Sequence, residues 1–181
     1  MSTPHDIAQA MQRAASVFTR RPDMGLHDDV SARARWQGGM RVAASHASGV
    51  EISTDMPAEL GGTGDRPSPG WFFRAGIAAC TTTAIAMVAA QQGVALDRLD
   101  VEIGSRTDTR GLLGMSGADG VRIAAAPASM QVDIALHAPG VDAARLAALV
   151  DEALRRSPMQ GALAGQPLLR VIVSVGNGRA E

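Results

Sequence analysis

An α+β fold is what this sequence predicts, on three observations. Apolar residues alternate with polar ones, the period of a half-buried strand, in residues 30–37, 99–103 and 130–136. They recur at helical spacing in residues 4–20 and 141–156. Between these, one run from Pro69 to Gln92 is apolar on nearly every face. Strands, long helix, strands, helix, strand is an order that packs helices against antiparallel sheet. At 181 residues the chain can bury a core of its own. We divide it into an N-terminal helix and linker, residues 1–28, and a single domain, residues 29–181.

Taken in order, Ile7, Ala8, Met11, Ala14, Ala15 and Phe18 share one face between Pro4 and Arg20, and the segment from Arg21 to Gly25 ends that helix. Residues 30–37 alternate with arginines on one side. Gly38-Gly39 turns the chain into residues 40–45, and Ser48-Gly49 turns it again into residues 50–54. This is an antiparallel meander whose polar face carries Arg33, Arg35 and Arg41. The glycine-rich stretch Gly61-Gly62-Thr63-Gly64-Asp65 has no lysine at the spacing of a phosphate loop and does not sit in a βαβ unit, so it reads as a flexible lead-in to the long helix. Residues 108–120, with Gly111, Gly114, Gly117 and Gly120, form a mobile or hairpin excursion. Leu146, Leu149, Val150, Ala153 and Leu154 stripe the helix over 141–156, which Ser157-Pro158 breaks. Residues 168–175 predict a last strand.

The long helix has its own punctuation. Ser68 is a suitable cap, Pro69 suits the first helical position, and Gly93 is a usual stop. At 1.5 Å per residue it is about 36 Å long, enough to cross a bilayer. Arg74, Thr81-Thr82-Thr83 and Gln91-Gln92 interrupt it, however, and no flanking cluster of positive charge orients it. The expectation is a core helix that other elements cover on every side, with Ala79 and Ala86 in contacts too close for larger side chains.

Several classes of function are excluded at this stage. A net charge of −1 and 3% aromatic residues supply neither a basic stripe nor stacking platforms for nucleic acid. His5, His27, His46 and His137 are scattered singly, so no metal site is expected. No serine sits in a nucleophile elbow. A single cysteine, Cys80, precludes an internal disulfide and suits a reducing cytosol, and the N-terminus lacks a secretory pattern, so the expected location is the cytoplasm. Placed mid-helix, Cys80 gains little from the helix dipole. It is either a small core residue or a thiol activated by a neighbouring cation.

Pro57-Ala58-Glu59-Leu60-Gly61-Gly62, then Pro69, then Phe72-Phe73-Arg74-Ala75-Gly76-Ile77-Ala78-Ala79-Cys80 resembles the OsmC/Ohr family of thiol-dependent peroxidases, and the order of elements over residues 30–176 is similar to that family's. The resemblance implies an OsmC-like fold, with antiparallel sheets packed on a long central buried helix, in an intertwined homodimer with two pockets at its interface. It further implies that Cys80 reduces hydroperoxides, organic ones in view of Trp71, Phe72 and Phe73, with an external thiol as reductant; no cofactor is expected, and the composition and spacing above lead us to expect no metal, nucleic acid or membrane. The family's thiolate-holding arginine lies near a Gly-Gly pair. Arg41, displaced by one residue after Gly38-Gly39, is its match, with Arg33, Arg35 and Arg74 as alternatives. Two positions depart from the pattern: Gly70 stands where the organic-hydroperoxide branch has a glutamate, and Ser157 stands where a second cysteine precedes a proline. The rival expectation is the same fold kept as a dimeric pocket for a small apolar ligand, with Cys80 inert.

Overall fold

Thr3 and Asp6 open the first helix reciprocally. The Thr3 hydroxyl accepts the Asp6 N–H and the Asp6 carboxylate accepts the Thr3 N–H, in the computed structural model, which describes residues 3–165 and 169–173. This helix, α1, spans Pro4–Arg20. A meander follows: β1 (Arg33–Gly38), β2 (Arg41–Ser45) and β3 (Glu51–Thr54) pair antiparallel in that order. Gly38 and Gly39 turn β1 into β2 at φ +105° and +55°, a region that favours glycine. The register slips by one between Trp36 and Gly38, and that bulge adjoins the Gly38↔Arg41 pair.

α2 (Pro69–Gln91) is the helix on which the rest packs. Ser68 Oγ accepts the Trp71 N–H at 3.2 Å, Pro69 takes the first turn, and Gly93 leaves the helix at φ +67°. Then come β4 (Arg98–Arg106), a one-turn α3 (Thr109–Leu112), β5 (Ser129–His137), α4 (Ala143–Arg156) and α5 (Pro158–Ala164). β4 and β5 form an unbroken antiparallel ribbon from Arg98↔His137 to Arg106↔Ser129. Along β4, Leu99, Val101 and Ile103 turn inward at every second position.

The core joins the C-terminal half of α2 to α4 and to the inner face of this ribbon: Ala84, Ile85, Val88 and Ala89 meet Leu146, Leu149 and Ala153, with Val101, Ile134 and Leu136 alongside. Each large aliphatic side chain buried there contributes roughly 1.5–3 kcal/mol. By length and composition α2 is able to cross a membrane. Within the chain α1, α4, α5 and β4 pack against it.

The structure corrects two expectations, the cover of α2 and the last strand, and extends two others, the break at Pro158 and the hairpin form of the glycine-rich excursion. The single chain does not cover α2 on every side: Trp71 and Phe73 are each 48% exposed, Met87 and Ala79 are exposed, and Ala86 is only half-buried. Pro158 does more than break α4; lacking an N–H, it is suited to start α5. The glycine-rich excursion folds back on itself through α3 and a bridge between Ser116 and Arg122. Residues 169–173 of the predicted last strand carry no strand structure and lie exposed, with no strand among the described residues paired to them; 168, 174 and 175 lie outside the described residues.

Ile85 is fully buried at the centre of this core. Ile85→Ala is expected to destabilise the protein by about 2–5 kcal/mol, read from the urea midpoint, because the cavity left behind adds to the lost transfer energy.

Candidate functional site

A buried carboxylate must be satisfied from within, and Asp55, 2% exposed at the end of β3, organises everything around it. Its Oδ2 accepts Nη2 of Arg41 at 2.9 Å, the Thr63 N–H at 3.2 Å and the Thr63 hydroxyl at 2.6 Å, while Oδ1 accepts the Met56 N–H at 2.8 Å. Arg41 also donates to Thr63 Oγ1 and to the carboxylate of Asp65. The Asp55 N–H donates to the Pro67 carbonyl at 3.1 Å, tying β3 to the segment that enters α2. Gly62 lies against this knot: a Cβ there would stand 1.8 Å from the Met56 carbonyl oxygen. The glycines that suggested a flexible lead-in instead allow a tight wrap around Asp55.

The Thr63 hydroxyl above all, then the Met56 and Thr63 N–H groups and the Arg41 charge, outweigh burial and lower Asp55 from 3.8 to about 2. Asp65 is lowered too, first by Thr63 and then by Arg41, and Arg41 is raised, chiefly by Asp65. Because the folded-state value of Asp55 lies below the unfolded one, its stabilisation is fully present above about pH 4 and is lost as the pH falls towards 2. Asp55→Asn is therefore expected to lower the urea midpoint at pH 7 and to flatten its decline between about pH 4 and pH 2.

Cys80 lies about three turns into α2 and is half-buried. Its Sγ is 3.5 Å from Oγ of Ser157, a residue 2% exposed that caps the end of α4. Cys80 lines a cavity of about 360 Å³, whose other walls include Met11 of α1, Thr83, Met87 and Val88 of α2, and the Arg156 and Pro158 that flank Ser157. Arg156 donates to Gln91 Oε1 at 2.7 Å and to Glu152 Oε1 at 2.5 Å.

The structure thus brings Cys80 and Ser157 together. Arg41 is not among the residues lining the Cys80 cavity; its guanidinium is held by Asp55 and Asp65, beside the loop that leads into α2. Of the alternatives, Arg33 and Arg35 lie exposed on β1, and Arg74 donates to Ser105 Oγ at 3.1 Å. Sequence reasoning missed both carboxylates on Arg41, which come 14 and 24 residues later with no motif to mark them. It also missed Met11 and Arg156. Only the adjacency of Arg156 to Ser157-Pro158 hinted at its place.

Comparison with known proteins bears on this arrangement. The family described as OsmC-like protein matches residues 62–171. The organic hydroperoxide resistance protein of Xanthomonas axonopodis pv. citri (strain 306) is 34% identical over 128 residues, 70% of this chain and 80% of that protein. The crystal structure of an organic hydroperoxide resistance protein OsmC from Legionella pneumophila is similar over 77% of this chain and 92% of its own, at 26% identity and a TM-score of 0.52. An OsmC-like protein from Mycoplasma pneumoniae, 16% identical, shares the fold with a TM-score of 0.64 over 78% of this chain and 91% of its own. Since the family match runs from the loop before α2 to the segment beyond α5, and the sequence likeness extends over 128 residues, the chain belongs to the OsmC/Ohr family.

Proposed function

We propose that the protein reduces organic hydroperoxides through Cys80, using an external thiol as reductant. The observation that carries the reading is Cys80 lining an apolar cavity, its sulfur 3.5 Å from the buried Ser157 hydroxyl, in a chain related to organic hydroperoxide resistance proteins. The Cys80 thiolate attacks the terminal peroxide oxygen; the S–O bond forms as the O–O bond breaks, and the alkoxide leaves as alcohol after taking up a proton. Sulfur is oxidised by two electrons to the sulfenic acid. An outside thiol then displaces water from that sulfur, and a second outside thiol resolves the mixed disulfide, regenerating Cys80.

Arg41 is the cation we assign to hold the thiolate and polarise the peroxide, a task that suits a permanently charged guanidinium. Asp55 and Asp65 supply the orienting carboxylates that Gly70, with no side chain beside Arg74, does not. One observation favours the rival reading of a pocket for a small apolar ligand with Cys80 inert: in the single chain Arg41 is committed to two carboxylates and does not line the Cys80 cavity.

The functional unit in this reading is a cytoplasmic homodimer. The exposed Trp71 and Phe73 of α2, the exposed Trp36 and Ile52 of the meander, and the exposed Leu169, Val171, Ile172 and Val173 support it, since large apolar side chains left open in numbers mark surfaces that a partner covers. The interface is expected to exceed about 2,000 Å², as in obligate dimers, and sedimentation at micromolar concentration checks it. A monomer there would overturn the assembly.

Cumene hydroperoxide is expected to convert Cys80 to a sulfenic acid that dimedone traps, and excess oxidant to carry it to the sulfinic state, since Ser157 cannot resolve it. Arg41→Ala should slow the first step at least tenfold, about 1.4 kcal/mol of transition-state stabilisation. In Ser157→Cys, the same oxidant should instead produce an intramolecular disulfide with Cys80. If Cys80 alkylates with iodoacetamide no faster than free cysteine at pH 7 and gives no sulfenate, the ligand-binding reading takes its place.

A further inference from the structure

The family match begins at residue 62, yet the cavity beside Cys80 has a wall from far outside it: Met11 of α1. We propose that α1 is a specificity element of this pocket, and that Met11 sets the size of the apolar group a hydroperoxide can carry beside Cys80; this rests on the reading of Cys80 as the reacting thiol.

Three features of α1 carry the inference. It is a stiff element, with the Thr3–Asp6 capping box at one end and the Arg21 N–H on the Val17 carbonyl at 2.8 Å at the other. It packs along α2, the helix that bears Cys80, through a narrow stripe: Ile7, Ala8, Met11 and Val17 are half-buried while its other described residues are exposed. Within that stripe it is Met11 that lines the cavity, together with Cys80 and Met87 of α2.

The chemistry of the space fits an apolar tail. Its volume of about 360 Å³ compares with the roughly 30 Å³ that one water occupies in the liquid, so it is far larger than a peroxide group alone needs. Met11 and Met87 offer unbranched thioethers, which adapt to differently shaped apolar groups better than branched side chains do. The substrate class is therefore a hydroperoxide with a bulky alkyl or aryl substituent, seated between α1 and α2 with its O–O group towards Cys80. α1 is also the wall most open to change, because it has no fully buried residue and its side chains can vary without disturbing the core around Ile85.

The test uses the full-length protein and compares rates of Cys80 sulfenate formation with cumene hydroperoxide and with hydrogen peroxide. Met11→Trp, which narrows the cavity, is expected to lower the cumene-to-hydrogen-peroxide rate ratio by about tenfold, within the range that apolar pockets discriminate. Met11→Ala, which widens it and guards against misfolding of the larger variant, is expected to raise that ratio for a hydroperoxide bulkier than cumene's. Ala10→Trp, at an exposed position on the same helix, is expected to leave the ratios unchanged. Oxidation of Cys80 with ratios that neither Met11 variant moves overturns this inference alone; absence of oxidation by either peroxide in the unaltered protein overturns the thiol reading and this one with it.

Discussion

The constraint on which this structure depends is that α2, apolar on nearly all its faces, must be covered. Its C-terminal half is covered in part within the chain: α4 and the β4–β5 ribbon close over Ile85 and Val88, and α5 and α1 pack on it as well, while Met87 stays exposed. The position of every functional feature follows from that packing. Because α4 lies against α2, the residue that ends it, Ser157, arrives at Cys80; because α1 lies on the neighbouring side, Met11 arrives at the same space. The N-terminal half of α2 is less covered in the single chain, where Trp71 and Phe73 are each 48% exposed.

A second, polar constraint holds the other end. Asp55 cannot be buried unless donors surround it, and the donors it gathers come from β2, from the glycine-rich loop and from its own backbone neighbours. Through them the meander is joined to the start of α2 by directional bonds rather than by apolar packing. The requirement for Gly62 is a product of the same knot, since the backbone at Met56 leaves no room for a Cβ. Arg41 is consequently fixed in orientation and shares its charge between two carboxylates, an arrangement that orients a guanidinium while offsetting part of its field.

The local elements were legible in the sequence because each carries its own physical signature. The cap at Ser68, Pro69 at the first turn and Gly93 after the last placed α2 to within one residue of its observed end. Alternation placed β4 and β5, and the apolar stripe placed α4. Cys80 stood out by the apolar lead-in before it, and Ser157 by its place before Pro158. Less legible were the features that need a partner distant in the chain. A run such as Leu169 to Val173 reads as a strand by composition, but a strand exists only where another edge completes its hydrogen bonds, and composition does not say whether one is present.

By itself, then, the sequence determined the α+β class, the span of α2, the family and the identity of the one thiol, since periodicity, capping and local motif are properties of neighbouring residues. The tertiary structure decided what each of those residues meets: that Asp55 and Asp65 hold Arg41, that the Ser157 hydroxyl lies on the Cys80 sulfur, and that Met11, 69 positions before Cys80, shares a cavity with it. Those meetings depend on how helices and sheet pack around α2, and packing is set by the shapes and volumes of whole faces rather than by any short stretch of chain.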